Sequence, residues 1–185
     1  MRKLVITQNM TLDGSIEMLD EWFDPQIQDD ELLAESHRQD ADSDALLLGR
    51  RTFEDFRGYW PSRSDDKTGI TDYLNGVAKY VVSTTMTDPL WMNSTIVARD
   101  PAQRIRALKS KPGKDIVVTG SISLAHSLIA AGLVDEYRLF VYPAVQGRGR
   151  RLFPEGAPRS TSTLTLAGPP KSFASGIVLL RYASG

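Results

Sequence analysis

Asp115-Ile116-Val117-Val118-Thr119-Gly120-Ser121-Ile122-Ser123-Leu124 is the stretch whose reading decides the fold. Ile116 to Thr119 are four β-favouring residues in a row, as in a strand covered on both faces. Gly120 allows a tight turn and a close approach by another molecule. Ser121 is a candidate N-cap, and the backbone N–H groups beyond it can meet an anion. Leu124, Leu128, Ile129 and Leu133 then recur at helical spacing. Open α/β sheets hold phosphates at a strand, turn and helix of this kind, although many such turns bind nothing.

A second segment has the same form, and a third strand end joins them. The short apolar run Ala45-Leu46-Leu47-Leu48 leads into Gly49-Arg50-Arg51-Thr52-Phe53, with Phe53, Phe56 and Trp60 on one helical side. Residues 79–84 read as a strand that ends in Ser83 and Thr84, followed by Thr85. In a parallel sheet the carboxyl ends of the strands share one edge, where ligands bind. Arg50 or Arg51 can pair with a phosphate there, and hydroxyls with helix N-termini can cradle a pyrophosphate. The set suits a dinucleotide with an extra phosphate, such as NADPH. The same residues also serve as ordinary helix caps and surface charges.

The remaining pattern fills in one domain over residues 1–185. Residues 4–9 read as a first strand, followed by the turn Thr11-Leu12-Asp13-Gly14. Residues 15–28 carry Trp22, Phe23 and Pro25 among acids and read as a loop able to cover a site. A helix is expected over 29–39, capped by Asp29 or Asp30, with Leu32, Leu33 and Ser36 on its inner side. Residues 61–71 read as a polar loop, 94–98 as a strand, and 102–109 as a helix with Ile105 and Leu108 inward. Gly132 is placed to close the helix after Leu124. Strands are expected over 136–142, 161–166 and 177–182, with a glycine-interrupted turn at 143–153. Alternating β and α units followed by strands predict an α/β fold with a mixed sheet. Its parallel strands carry helices on both faces, and antiparallel strands lie at one edge.

Composition narrows the function. Of 185 residues, 41% are hydrophobic and 24% charged, with a net charge of −1, as in ordinary globular domains. The longest basic block is Arg148-Gly149-Arg150-Arg151, which gives nucleic-acid binding little electrostatic support. There are no cysteines, which excludes disulfides, thiolate zinc sites and cysteine nucleophiles and fits a cytoplasmic setting. The N-terminal apolar run is too short and too soon polar for a signal peptide, and no segment approaches the ~18 apolar residues of a membrane span. No G-x-G-x-x-G follows the first strand, and Gly147-Arg148-Gly149 does not open a helix. G-x-S-x-G is absent. His37 and His126 fall on separate helices without a carboxylate at metal-ligand spacing, so no metal is expected. Asp29, Asp30, Glu31 and Glu35 can supply a proton donor, but read first as cap and solvated-face charges.

The ordered motifs resemble the dihydrofolate-reductase-like superfamily. More closely, they are similar to the reductase (C-terminal) domain of the bacterial bifunctional riboflavin-biosynthesis deaminase-reductase and its stand-alone relatives. Thr11-Leu12-Asp13-Gly14, Leu48-Gly49-Arg50-Arg51-Thr52-Phe53 and Val81-Val82-Ser83-Thr84 carry the resemblance, together with Val118-Thr119-Gly120-Ser121-Ile122-Ser123-Leu124. So do Gly132-Leu133-Val134-Asp135-Glu136-Tyr137 and the run from Pro143 to Phe153. The resemblance implies a three-layer α/β/α fold and an NADPH-dependent reductase. It implies Gly49, Arg50, Arg51 and Thr52 at the cofactor phosphates, and Ser83 and Thr84 near the adenosine-ribose phosphate. Gly120, Ser121 and Ile122, with Leu124 following, would lie against the pyrophosphate. Thr7, Leu12 and Gly14 would border the nicotinamide, and Asp13, at the same turn, is the candidate proton donor.

The implied reaction is of the 5-amino-6-(5-phosphoribosylamino)uracil reductase type or a related small-molecule reduction. Relatives pair as homodimers, so a homodimer is expected. Dihydrofolate reductase activity, or nucleotide binding without turnover, is the alternative. The acid that dihydrofolate reductases carry before the G-R turn falls here at about Leu33, which argues against folate. This cysteine-free chain has no ligands for a zinc deaminase, so deamination would happen elsewhere.

Overall fold

The computed structural model describes residues 1–24, 27–154 and 162–185. Strand β1 (Leu4–Thr11) is followed by α1 (Asp30–Ala41), β2 (Ser43–Gly49), α2 (Arg50–Tyr59), α3 (Ile70–Gly76), β3 (Ala78–Val82) and β4 (Ser94–Val97). Next come α4 (Pro101–Lys109), β5 (Asp115–Gly120), α5 (Ile122–Ala130) and β6 (Glu136–Tyr142). The chain ends in β7 (Leu164–Leu166), β8 (Lys171–Ser172) and β9 (Val178–Ser184). Among the described residues they form one nine-stranded sheet in the order β4-β3-β2-β5-β1-β6-β9-β7, with β8 also on β9. Strands β1 to β6 are all parallel, and β9 is antiparallel to β6, β7 and β8. Glu136–Tyr142 therefore belongs to the parallel part, although it opens the C-terminal run of strands.

Both faces of the sheet are apolar because helices cover both. Leu4, Ile6, Leu47, Ile116 and Val118 face α4 and α5, meeting Ile105, Leu108, Leu124 and Leu128. Val5, Leu46, Leu48 and Val117 alternate with them and face Phe53 of α2 and Leu74 of α3. Helix α1 lies on this second face, where Leu32 joins Phe140, Tyr142, Ile177 and Leu179. Each βα junction is local chemistry. Asp29 caps α1 by accepting from Leu32 N at 3.0 Å. Pro101 opens α4, and Gly132 follows α5 at φ 61°.

Several elements differ from the sequence reading. Helix α1 buries Glu35 and Gln39, while its leucines are only half-buried. Glu35 is no solvated-face charge: its carboxylate accepts from Arg38 and Gln39 and pairs with Lys171. Burial raises its pKa, but these hydrogen bonds and charges outweigh that and bring it below its usual range. On the same sheet face, Glu136 is 1% exposed and takes Arg138 at 2.9 Å, Arg181 at 2.7 Å and Lys3 at 3.0 Å. The polar loop expected over 61–71 holds as far as Gly69, where α3 begins, its first turn held by Asp66 accepting from Thr71 N at 2.8 Å. Pro25 and Thr161, expected in a loop and a strand, lie outside the described residues.

Candidate functional site at the carboxyl edge of the sheet

The carboxyl ends of β1 to β6 share one edge, and the strand order reverses there. From β2 the chain continues outward to β3 and β4, whereas from β5 it crosses β1 to reach β6. Ligands of open α/β sheets bind at such a switch point. The sheet also splits at this place. Strand β1 pairs with β5 only as far as Ile6 opposite Val118, yet it stays paired with β6 to Thr11 opposite Tyr142. Strand β5 meanwhile leans to β2 through a register shift that sets Leu48 opposite Gly120. From Thr7 onward the β5-facing edge of β1 therefore has no strand partner among the described residues.

Two helix N-termini meet beside the split, at the ends of β2 and β5. Gly49 is the N-cap of α2 and Ser121 the N-cap of α5, and neither helix has a side-chain cap hydrogen bond. The first-turn N–H groups at Arg51 and Thr52, and at Ile122 to Leu124, are left for another acceptor. The two turns interlock. A Cβ on Gly49 would lie 2.9 Å from Ser121 Cβ, and one on Gly120 would lie 2.7 Å from Thr52 Oγ1. Gly120 has φ +152°, and the Gly120–Ser121 peptide is cis. Only glycine fits at both positions, because each backbone is pressed against the other turn.

Other residues of the expected site divide around this centre. Arg50 pairs with Glu54 at 2.8 Å, within its own helix. Arg51 is exposed and has no carboxylate partner among the described residues. Ser83 is buried, and its hydroxyl accepts from Thr85 N at 3.2 Å and Met86 N at 3.0 Å, so it builds the turn after β3. Thr84 and Thr85 are exposed at that turn; Thr85 is the better placed second hydroxyl. Leu124 has its side chain in the core beside α4, so only its backbone can face the edge. Thr7 stands at the first unpaired step of β1, and Leu12 is exposed just beyond it.

Asp13 needs correction as a proton donor. Its carboxylate accepts from Thr11 Oγ1 at 2.6 Å, Gln146 N at 3.1 Å and Gly147 N at 2.8 Å. Those donors, Thr11 foremost, hold its pKa at about 2. An anion so engaged has no proton to give near neutrality. Asp13 instead fastens the Thr11–Gly14 turn, with Gly14 at φ +89°, to the turn after β6. Gln146 extends this clasp, accepting from Trp22 Nε1 at 2.9 Å and donating to Ser15 Oγ at 2.8 Å. Trp22 and Phe23 pack edge-on against Tyr142, so the acidic loop after β1 does cover the end of β6. The sequence shows Gln146 only as one polar residue in a turn; its partners are far along the chain.

An open α/β domain with a split sheet and two uncapped helix ends at its switch point has the architecture of dihydrofolate-reductase-like reductase domains. The RibD C-terminal domain family matches residues 2–172, and the chain belongs to that family. Protein YyaP of Bacillus subtilis (strain 168) is 30% identical over 187 residues, covering 98% of this chain and 94% of YyaP. Among solved structures, a putative riboflavin biosynthesis protein from Shewanella sp. PV-4 superposes with a TM-score of 0.71 at 19% identity, covering 99% of each chain. A pyrimidine reductase-like protein from Corynebacterium diphtheriae gives 0.68 at 16% identity, covering 100% of this chain and 92% of the other. The deaminase/reductase of Thermotoga maritima gives 0.69 at 15% identity, and the match spans 100% of this chain but 57% of that one. No helix among the described residues is long and apolar enough to cross a membrane.

Proposed function

We propose that this chain is an NADPH-dependent reductase of a pyrimidine-like or related small heterocycle, with the reaction type of the ribosylaminouracil reductases. The observation that carries this reading is the split between β1 and β5 with the uncapped ends of α2 and α5 beside it. Membership of the RibD C-terminal domain family supports the same chemistry. When bound, NADPH supplies a hydride from C4 of its nicotinamide to a carbonyl or imine carbon. The protein's part is to bind and orient. N–H groups at Thr52 and Ile122 receive the pyrophosphate, with Gly49, Gly120 and Ser121 allowing its approach. Arg51, with Thr84 and Thr85, receives the extra phosphate. The unpaired edge of β1 from Thr7, with Leu12 and Gly14 beyond, borders the nicotinamide. A cytoplasmic homodimer belongs to the same reading, and light scattering tests the dimer.

Fluorescence titration with NADPH and NADH tests the cofactor. NADPH is expected to bind the more tightly, and Arg51→Ala to weaken it about tenfold or more, the size of a charge-assisted hydrogen bond, with little effect on NADH. Arg50→Ala should do less, because Glu54 already holds that guanidinium. Binding of neither nucleotide, or equal weakening of both by Arg51→Ala, contradicts the reading.

A further inference from the structure

Strand β1 changes character halfway. Leu4 to Ile6 are buried, but Thr7 to Met10 are only half-buried, although β6 still pairs with all four. The exposure comes from the side that β5 has left. Successive side chains of a strand point to opposite faces. Ile6 and Met10 pack with the cluster under α4 and α5, so Asn9 stands on the other face, the one that carries α1 and α2. Its neighbour in the parallel register is Phe140. Around Phe140 lie Tyr142, Leu32 of α1 and, from the covering loop, Trp22 and Phe23. Across the split the same face continues as Leu48 of β2 and Phe53 of α2. Asn9 is thus a polar side chain on an apolar floor. Its backbone carbonyl accepts from Gln8 Nε2 at 2.9 Å, but its carboxamide has no partner among the described residues. Thr7 shares the face but stands beside Arg138, nearer the closed end of the split. Thr11, further on, already donates its hydroxyl to Asp13 at 2.6 Å. A half-buried carboxamide left free in this way can donate and accept one hydrogen bond each toward a ligand.

Resting on the reductase reading above, we infer that Asn9 selects the substrate ring, and that this ring carries a lactam edge, a carbonyl next to a ring N–H, as uracil-type heterocycles do. Asn9 Nδ2 donates to the ring carbonyl while Oδ1 accepts from the ring N–H, a planar two-point match. The apolar side chains around Asn9 give the flat ring its seat. The nicotinamide borders the backbone edge of β1, which leaves the carboxamide to the second reactant. A ring without the N–H leaves Oδ1 unpaired, and a site built on hydrogen bonds rejects such analogues.

Equilibrium binding of 6-aminouracil and of its 1,3-dimethyl derivative to the protein saturated with NADPH tests the edge directly. Methylation of both ring nitrogens removes the ring N–H donors and keeps the carbonyls. The wild type is expected to favour 6-aminouracil by about tenfold or more, the size of one hydrogen bond. Asn9→Leu, which keeps the volume, should bring the ratio to about one, because the difference belongs to the carboxamide. Should that variant not fold, Asn9→Ala should give the same ratio. No preference in the wild type overturns the inference, and so does a preference that persists without the carboxamide. A protein that binds NADPH but neither ring also overturns it and leaves the cofactor reading standing. Failure to bind NADPH removes that reading, and this inference with it.

Discussion

Gly49→Ala tests whether the ends of α2 and α5 form one cleft. Gly49 has φ −76° and ψ 156°, which alanine adopts freely, so any cost must come from packing. The new methyl would sit 2.9 Å from Ser121 Cβ and 3.2 Å from Ser121 N, besides meeting Ser121 Oγ. The hydroxyl can rotate away, but the Cβ and the backbone cannot. To reach ordinary contact the start of α5 must recede by about half an ångström. Overpacking of this size costs about 1–3 kcal/mol, offset by about 0.4–1 kcal/mol because alanine restricts the unfolded chain. A net loss of about 1–2 kcal/mol corresponds to a fall of roughly 2–8 °C in Tm for a domain of this size. The same displacement carries the α5 N–H groups off their acceptor, so NADPH affinity should drop about tenfold, the equivalent of one hydrogen bond.

Ser121→Gly supplies the control. Ser121 makes no cap hydrogen bond, so alone it should cost only a few tenths of a kcal/mol. Combined with Gly49→Ala it removes the Cβ and the hydroxyl and leaves only the 3.2 Å contact with nitrogen. Urea unfolding and NADPH titration of the four proteins form a double-mutant cycle. The double variant should be more stable than the sum of the single effects by about 1 kcal/mol, and should recover most of the affinity. Additive effects, or a neutral Gly49→Ala, would refute the interlocked cleft.

Three further expectations concern charges buried or engaged elsewhere. Glu136→Gln should cost about 3–5 kcal/mol in urea unfolding, since it leaves Arg138 and Arg181 without their shared carboxylate. Burial pushes Glu136 up, but Arg138, Arg181 and Lys3 outweigh it and hold the group at about 2, below 4.5. Its stabilisation is therefore complete above pH 4.5 and lost as pH falls toward 2, a limb that Glu136→Gln should flatten. Lys79 is 1% exposed under Trp91, and burial lowers it to about 8 from 10.5. Between those values the unfolded chain binds the extra proton, so stability should rise with pH. Lys79→Met should remove the rise, and a flat wild-type profile up to pH 10 would count against it. Above pH 10 the opposite trend sets in, because Tyr73 and Tyr142 are raised by burial to about 12. Asp13→Asn should loosen the Thr11–Gly14 turn and its clasp on Gln146, raising KM for the substrate with kcat little changed. A large fall in kcat at constant KM would restore Asp13 as a proton donor.

What was legible in the sequence was local. Asp29 caps α1 through its own neighbour, and the strand–turn–helix junctions at Gly49 and Gly120 and the strand end at Ser83 are each written in consecutive residues. The central strands β2 and β5 were legible as apolar runs because helices cover both faces of the sheet there. Periodicity missed α3, whose seven residues are too few for a helical period and whose start depends on Asp66. The charge pattern also placed Glu35 on a solvated face and gave no sign that Lys79, in the third strand, is buried. Whether a charge is buried depends on its partners, here Arg38 with Lys171 for Glu35, and for Lys79 the carbonyls of Leu74 in α3 and Val77 just after it. The roles of Ser83 and Leu124 shifted for a related reason: a motif fixes where the backbone goes, while packing decides which way a side chain points.

The division runs through the candidate site itself. Its cofactor half is made of turns whose function resides in backbone N–H groups and missing side chains, so glycine and serine at fixed places in the sequence are enough to reveal it. Its substrate half is made of pairings across the chain: Asp13 with Gly147, Glu17 with Arg150, Asp20 with Arg148, Trp22 with Gln146. None of these is a motif, because either partner could move a residue along its loop and still reach the other. A family whose members share the first half can therefore change substrate by exchanging charges in the second, without disturbing Gly49, Gly120 or the split between β1 and β5.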